Sequence, residues 1–569
     1  MGRLCEKCWR VVQELLSQVR ELCSGLGHRV REILKRLCEC CCLWQGAPSR
    51  KGGLYGPVLQ QHEKRAARDF LRHLESDFEE SPLGNESLEA LRTLSFSELP
   101  DLQQSAALYY LHISQHLNTQ LPEDYLEPYH ALLQSNDLEV QRMSSLSLVN
   151  FLLEGNVKKE VVVESGLLEP MLELLESSDA AVQCNSCACI MTLASSESNQ
   201  DTIGSAGAVV PLLALAKSYD PRVQQNAVGA ILNLTRSERV QHVLCQEGAL
   251  PVLTMLLQSS DSEVQYYSCS ALSKIASNPR HHEAMLLIGD RFLLRMLLSL
   301  LSSSVDKVSC QACLCLRNLA ESGNTTTDLI EMNVLPPLLV LLNSDNEDVQ
   351  QASITLLCSL SQNPSNQEAL LCEEVLERMG TLLQTQTTNT VIVSHAACII
   401  ENLSLSENIQ EIIESPCFEG MLKALLCPEN DETCLQYVAS CIAELTKHDS
   451  TTSYLLTWMD TALITHLVRL AGQLEHTELA YQAGCIISHL ALNEKLVPMF
   501  RFRTDEILCY LKHFLNHPEF HFQELGLATL STLNQDAEFS SAISQSQMLE
   551  QMSRIREQTE ETPKPPGDC

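Results

Sequence analysis

The chain has 569 residues, with 39 Lys and Arg against 72 Asp and Glu, 45% apolar residues, 5% aromatics and 25 Cys. A net charge of −33 excludes nucleic acid as the partner of the whole chain, because counterion release needs clustered cations. There is no run of about 18 apolar residues and no uninterrupted apolar core near the N-terminus. The chain is therefore expected to stay in the cytosol with its cysteines as thiols.

Residues 1–52 differ from the rest. They carry ten basic and five acidic side chains, +5 against −38 for the remainder, and Cys5, Cys8, Cys23, Cys38, Cys40, Cys41 and Cys42. Leu4, Cys8, Val11, Leu15, Val19, Leu22, Leu26, Val30, Ile33 and Leu37 recur in steps of three and four, which predicts a basic amphipathic helix. Such a helix, with Trp9 and Trp44 near its ends, suits a lipid interface. Cys5, Cys8, Cys38, Cys40, Cys41 and Cys42 are candidate S-acylation sites. Gly2 is a weaker candidate for myristoylation, because position 6 is Glu6 rather than Ser or Thr. The alternative is a helix that packs on the first repeat or on a second copy of itself. Three adjacent cysteines on one turn cannot all face one tetrahedral ion, so no metal is expected.

From about residue 53 the chain is one repeated unit. Val-Gln pairs followed eleven positions later by an apolar residue begin at Val140, Val182, Val223, Val264 and Val349, with weaker copies at Leu102, Val308, Ile392, Cys434, Leu479 and Phe522. The eleven anchors lie 38 to 45 residues apart, the period of units built of two or three helices. Gly166, Gly207 and Gly248 precede Pro170, Pro211 and Pro251, marking a sharp corner before a second helix. Polar loops such as Ser178-Asp179 and Ser260-Asp261 then lead into the anchor helix. This is the three-helix armadillo form. The fold is expected to be an all-α, right-handed superhelical solenoid of about eleven repeats, preceded by the amphipathic helix. Residues 53–410 hold the more regular repeats, 411–556 divergent repeats or a cap, and 557–569 a Pro-rich tail expected to stay disordered.

Small residues four positions after the anchor, such as Ser186, Ala227 and Ser268, allow close helix approach. Cys184, Cys187, Cys189, Cys269, Cys310, Cys313 and Cys315 fall at core-like spacings and read as packing. No Walker A, GxGxxG, GxSxG or HExxH sequence occurs, so neither enzymatic activity nor a cofactor is expected. His281-His282 falls in a loop-to-helix segment and reads as a solvated surface pair.

What remains is a groove lined by the anchor helices. Asn150, Asn233, Asn318 and Asn402 stand ten positions after their anchors, where a carboxamide can donate to and accept from an extended peptide backbone. Asn226 and Tyr267 share this face at offset three, and Arg317 is able to fork onto a carboxylate.

Pro221 to Ser237, Glu263 to Ser273 and Val308 to Ala320 resemble, helix by helix, the yeast vacuolar armadillo-repeat family, vacuolar protein eight. The resemblance runs from about Tyr55 to about Asn408. It implies a lipid-anchored scaffold on the cytosolic face of the vacuole or lysosome, whose groove holds partner peptides and which serves vacuole inheritance, fusion, nucleus–vacuole contact or autophagy. Two departures stand out. That family begins Met-Gly-Ser-Cys-Cys-Ser-Cys, whereas this chain begins Met1-Gly-Arg-Leu-Cys-Glu6; and the family's Arg before each groove Asn is matched by Arg317 but replaced by Cys358 and Glu401. The alternatives are soluble armadillo adaptors of the nuclear-import or junctional type. The Trp shelves of the former are absent at Leu146, Gly229, Leu314 and Cys398, and the cation-lined groove of the latter is absent from a body of −38.

Overall fold

In the computed structural model of the protein, residues 59–75 and 83–548 are described, apart from 323, 386–388, 406–408, 428–429, 449–450, 452–453, 456–459, 474 and 547. The anchor segment 1–52, with Gly2, Cys5, Cys8, Cys38, Cys40, Cys41 and Cys42, and the tail 557–569 lie outside the described residues. Every regular element among the described residues is a helix.

The eleven anchors each fall on the third residue of a helix. These third helices define repeats 1 to 11: Pro100–His116, Leu138–Leu153, Ala180–Leu193, Pro221–Leu234, Ser262–Ala276, Asp306–Leu319, Glu347–Ser361, Thr390–Ser404, Glu432–Leu445, Thr477–Ala491 and Phe520–Leu533. Each anchor is at most 2% exposed. Burial at one helical position per repeat is what the recurring apolar residue reports, and it continues through the weakly matching repeats, where the anchors are Cys434, Leu479 and Phe522.

Local chemistry sets the ends of these helices. Asp137, Asp179, Asp220 and Asp261 each accept two backbone N–H groups at the start of a third helix. Asn346, Asn389 and Asp431 each accept one. The Gln after the anchor closes the preceding turn. Nε2 of Gln141, Gln183 and Gln350 donates to the carbonyls of Ser135, Ser177 and Ser344 at 2.7–2.8 Å. That is why Val and Gln recur together: one enters the core and the other satisfies a carbonyl that the second helix leaves open. The corner glycines Gly166, Gly207 and Gly248 have φ of 83°, 89° and 80°, a region any side chain would strain.

The chain divides into two compact units, Met1–Met296 and Leu297–Cys569. Within the first, the third helices of repeats 1 to 5 pack in succession; within the second, those of repeats 6 to 11 do the same. Second helices lie behind them, as Leu168–Leu175 does behind Ala180–Leu193 and Pro416–Leu426 behind Glu432–Leu445. Among the described residues, no single helix is long and apolar enough to cross a membrane.

The cysteines behave as apolar packing. Cys184, Cys187, Cys189, Cys269, Cys313 and Cys315 are buried, while Cys310 is half-buried. Burial pushes the Cys187, Cys189, Cys313 and Cys315 thiols well up, and that of Cys310 to about 11.

The surface placement expected for His281 and His282 is overturned: they are 7% and 2% exposed. The 41-residue period puts His282 in the register of Gln200 and Gln241. Nε2 of those glutamines donates to Ala194 and Thr235 carbonyls at 3.1 and 2.8 Å, six residues back, and His282 Nε2 meets the Ala276 carbonyl at 2.6 Å in the same way. His282 therefore takes the place of a carboxamide that closes the end of a third helix.

Candidate peptide groove

A third helix with neighbours on both sides and a second helix behind it has one open face. In repeat 4 the partly or fully exposed residues of this face are Arg222, Gln225, Asn226, Leu232 and Asn233, on either side of the buried Gly229. In repeat 8 they include His395, Cys398, Glu401 and Asn402. Each stripe follows the three-to-four spacing of one helix face.

The asparagines have a structural task on this face. Asn226 Nδ2 donates to the Cys184 carbonyl at 3.1 Å, and Asn233 Nδ2 to the Met191 carbonyl at 2.7 Å. Asn150 and Asn402 reach Ser114 and Ser361 hydroxyls at 3.1 and 3.0 Å. In every case the acceptor lies on the preceding third helix, so the carboxamide N–H holds the register of two repeats. Asn226, Asn233 and Asn402 are half-buried, and no partner for their Oδ1 occurs among the described residues. A carbonyl oxygen held in this way is an acceptor for the N–H of an extended chain.

Two expected groove residues lie deeper. Asn150 is 3% and Tyr267 is 7% exposed, which leaves little area for a ligand. Tyr267 packs over Gly229, its ring carbon 3.5 Å from where a Cβ would stand, and Met191 Sδ is nearer still at 2.5 Å. The ring and the thioether fill the space that a larger side chain would use. Arg317 and Asn318 are half-buried in repeat 6, and an Arg317 guanidinium N–H donates to Asn318 Oδ1 at 3.3 Å.

The structure adds residues that the sequence reading missed. Asn185 in repeat 3 donates to Ser145 Oγ at 3.1 Å and to the Arg142 carbonyl at 3.3 Å. Its offset of three from Val182, the same as that of Asn226 from Val223, was the available signal. Repeats are also tied at the N-terminal ends of their third helices. Arg142 pairs with Asp179, Nε to Oδ1 at 3.0 Å, and Asn346 Nδ2 donates to Asp306 Oδ2 at 2.8 Å. Arg142 raises nothing new for a ligand, since Glu139 and Asp179 already hold its guanidinium. The Glu401 carboxyl is pushed up by burial, while Ser440 Oγ donates to it at 2.5 Å.

Among the described residues, no cluster of three His, Cys, Asp or Glu could hold a metal ion. The arrangement presents half-buried polar groups on rigid helices in each unit, with carboxamide acceptors at Asn226 and Asn233 in repeat 4 and at Asn402 in repeat 8.

The model of the Armadillo/beta-catenin-like repeat family matches residues 156–195, 196–236, 237–277 and 326–362. Among curated proteins, Vacuolar protein 8 of Gibberella zeae is 42% identical over 112 residues, 20% of this chain and 20% of the relative. Vacuolar protein 8 of Aspergillus oryzae is 34% identical over 148 residues, 25% of this chain and 26% of the relative. That of Schizosaccharomyces pombe is 35% identical over 130 residues, 23% of each. The matched stretch thus spans about a quarter or less of these relatives. An engineered protein of known crystal structure is similar in fold, with a TM-score of 0.63 and 23% identity over 73% of this chain and 99% of its own.

Proposed function

The chain is an armadillo-repeat protein similar to Vacuolar protein 8, and on that premise we propose that it is a membrane-tethered adaptor that binds extended peptide segments of partner proteins. The observation that carries the groove half is the open face of the third helices, where Asn226 and Asn233 in repeat 4 and Asn402 in repeat 8 each keep an acceptor oxygen half-buried. Arg317 and Asn318 extend the same kind of face in the second unit, and Asn150 and Tyr267 support the floor of the face in the first. Rigid helices holding these groups in place reduce the ordering cost that a peptide must meet.

The tether is the basic, Cys-rich segment 1–52. Acylation at Cys38, Cys40, Cys41 and Cys42, or at Cys5 and Cys8, together with its basic face supplies the two signals that stable attachment needs. Gly2 is a further candidate acceptor. The vacuolar or lysosomal membrane, approached from the cytosol, is the site that the likeness to Vacuolar protein 8 favours. Vacuole inheritance, fusion, organelle contact and autophagy-type delivery are the processes to examine first.

Membrane fractionation with acyl-exchange labelling tests the tether. The full chain is expected to sediment with membranes and to carry thioesters, and a variant with Ser at Cys38, Cys40, Cys41 and Cys42 to move to the soluble fraction. If both proteins are soluble and unlabelled, the tether is wrong and segment 1–52 serves docking or self-association in a soluble adaptor.

A further inference from the structure

The second unit contains a thiol pair that packing alone does not explain. Cys358 in repeat 7 and Cys398 in repeat 8 lie on adjacent third helices, nine and six residues after their anchors; at the same offsets in repeats 3 and 4, Met191 Sδ stands 2.5 Å from where a Cβ on Gly229 would be. The register is fixed one turn further on, where Asn402 Nδ2 donates to Ser361 Oγ at 3.0 Å and also approaches Cys398 Sγ at 3.8 Å. Ser361 follows Cys358 by three residues and Asn402 follows Cys398 by four, so one bonded rung stands directly above the sulfur pair. Other buried thiols meet backbone carbonyls instead: Cys417 donates to Leu376 at 2.8 Å and Cys189 to Ser145 at 3.9 Å. Cys398 is half-buried on the open face, and Cys358 is 7% exposed beneath it. A small oxidant can therefore reach the first sulfur, and the second waits beside it.

We propose that Cys358 and Cys398 are an oxidation site, a dithiol that a peroxide converts to a disulfide joining repeats 7 and 8. The two sulfurs have different roles. The neighbouring Cys358 thiol, together with the Asn402 N–H that donates to Cys398 sulfur at 3.8 Å, holds the Cys398 thiol below the ordinary value against burial and the nearby Glu401 carboxylate, whereas Cys358 is pushed up. Cys398 thiolate attacks a peroxide oxygen. The O–O bond breaks, the departing hydroxide takes up the proton that Cys398 released, and Cys398 becomes a sulfenic acid. Cys358 then loses its proton and its sulfur attacks the Cys398 sulfur. The S–O bond breaks, hydroxide leaves and is protonated, and the disulfide forms. Two thiols lose two electrons and one peroxide is reduced to two waters. The new bond fixes the spacing of two third helices on the face used by the proposed groove; that consequence rests on the groove reading, and formation of the bond does not.

The test uses the full chain, reduced, treated with graded hydrogen peroxide, quenched with an alkylating agent and digested without reduction for mass spectrometry. A linked peptide pair containing Cys358 and Cys398, two hydrogens lighter than the free peptides, is expected at oxidant doses below those that modify the exposed Cys509. The pair is lost in Cys358→Ser and in Cys398→Ser, and in Cys358→Ser the remaining Cys398 is trapped by dimedone as sulfenic acid. Phenylarsine oxide, which needs two adjacent thiols, provides a check on unmutated protein and should block alkylation of both residues together. The proposal is overturned if both residues remain alkylatable when Cys509 is oxidised, or if phenylarsine oxide protects neither.

Discussion

Removing the Asp179 carboxylate should loosen repeats 2 and 3 by an amount the structure sets. Asp179 Oδ1 accepts the N–H groups of Ala181 and Val182, both at 3.0 Å, and the carboxylate also takes the fork of Arg142 from the preceding third helix. The Arg142 guanidinium, ahead of the backbone donors, holds the Asp179 carboxyl at about 2, against an ordinary 3.8. That difference corresponds to about 2.4 kcal/mol at 1.36 kcal/mol per pKa unit. The Arg142 side chain is 40% exposed, so solvent screening reduces the net value to about 1 kcal/mol. Asp179→Asn keeps a capping oxygen and should lose about 1 kcal/mol. Asp179→Ala loses the cap as well and should cost about 2 kcal/mol. Native-state hydrogen exchange on peptides from Leu138–Leu153 and Ala180–Leu193 reads the loss locally, about fivefold faster exchange per 1 kcal/mol. Because the folded pKa is depressed, the stabilisation is present above pH about 4 and disappears as pH falls through about 2. Adding Arg142→Met to Asp179→Asn should cost little more than either change alone. Equal protection of wild type and Asp179→Asn at pH 7, or a difference as large at pH 2 as at pH 7, would refute the reasoning.

Further outcomes follow from the same geometry. Gly380→Ala should destabilise the second unit by about 2 kcal/mol or more in thermal unfolding, although Ala is the better helix former, because a Cβ there would stand 2.6 Å from the Pro416 carbonyl carbon and 2.8 Å from the Cys417 nitrogen; an unchanged or raised Tm contradicts this. His282→Gln should retain stability, since Gln200 and Gln241 make the same bond in neighbouring repeats, whereas His282→Ala should cost about 1–2 kcal/mol; equal effects of the two changes in denaturant titration would contradict the assignment. His281, His466 and His489 are held below the ordinary histidine value mainly by burial, so they stabilise the fold while neutral. Stability should be full above pH about 6.5 and decline as pH falls below it, which a pH series of Tm values measures.

The repeat was legible because a buried position and a helix start cannot drift relative to each other. Val182, Val223 and Val264 sit on the third residue of their helices just behind Asp179, Asp220 and Asp261, so the apolar anchor and the acidic cap mark one boundary. The corner at Gly207 was equally plain, because φ of 89° favours glycine. The depth of the face was not legible. Offset ten leaves Asn233 half-buried but sinks Asn150 to 3% exposure, where its Nδ2 meets the buried Ser114 hydroxyl. Tyr267 closes over Gly229, which helical periodicity cannot foresee. His282 was legible in principle, through its 41-residue spacing from Gln241, but a histidine and a glutamine match only once their shared N–H donor role is recognised.

Site-specific photo-cross-linking tests the central claim most directly. A photoreactive residue placed at Asn233, on the open face of a third helix, is compared with one placed at Val210, which is 56% exposed on the second helix Val209–Leu215. The account predicts that the Asn233 probe forms adducts with short extended segments of partner proteins, that Asn226→Ala weakens them, and that the Val210 probe gives none. Equal adducts at Val210, or none at Asn233 while Val210 reacts, would contradict a peptide groove on the third helices.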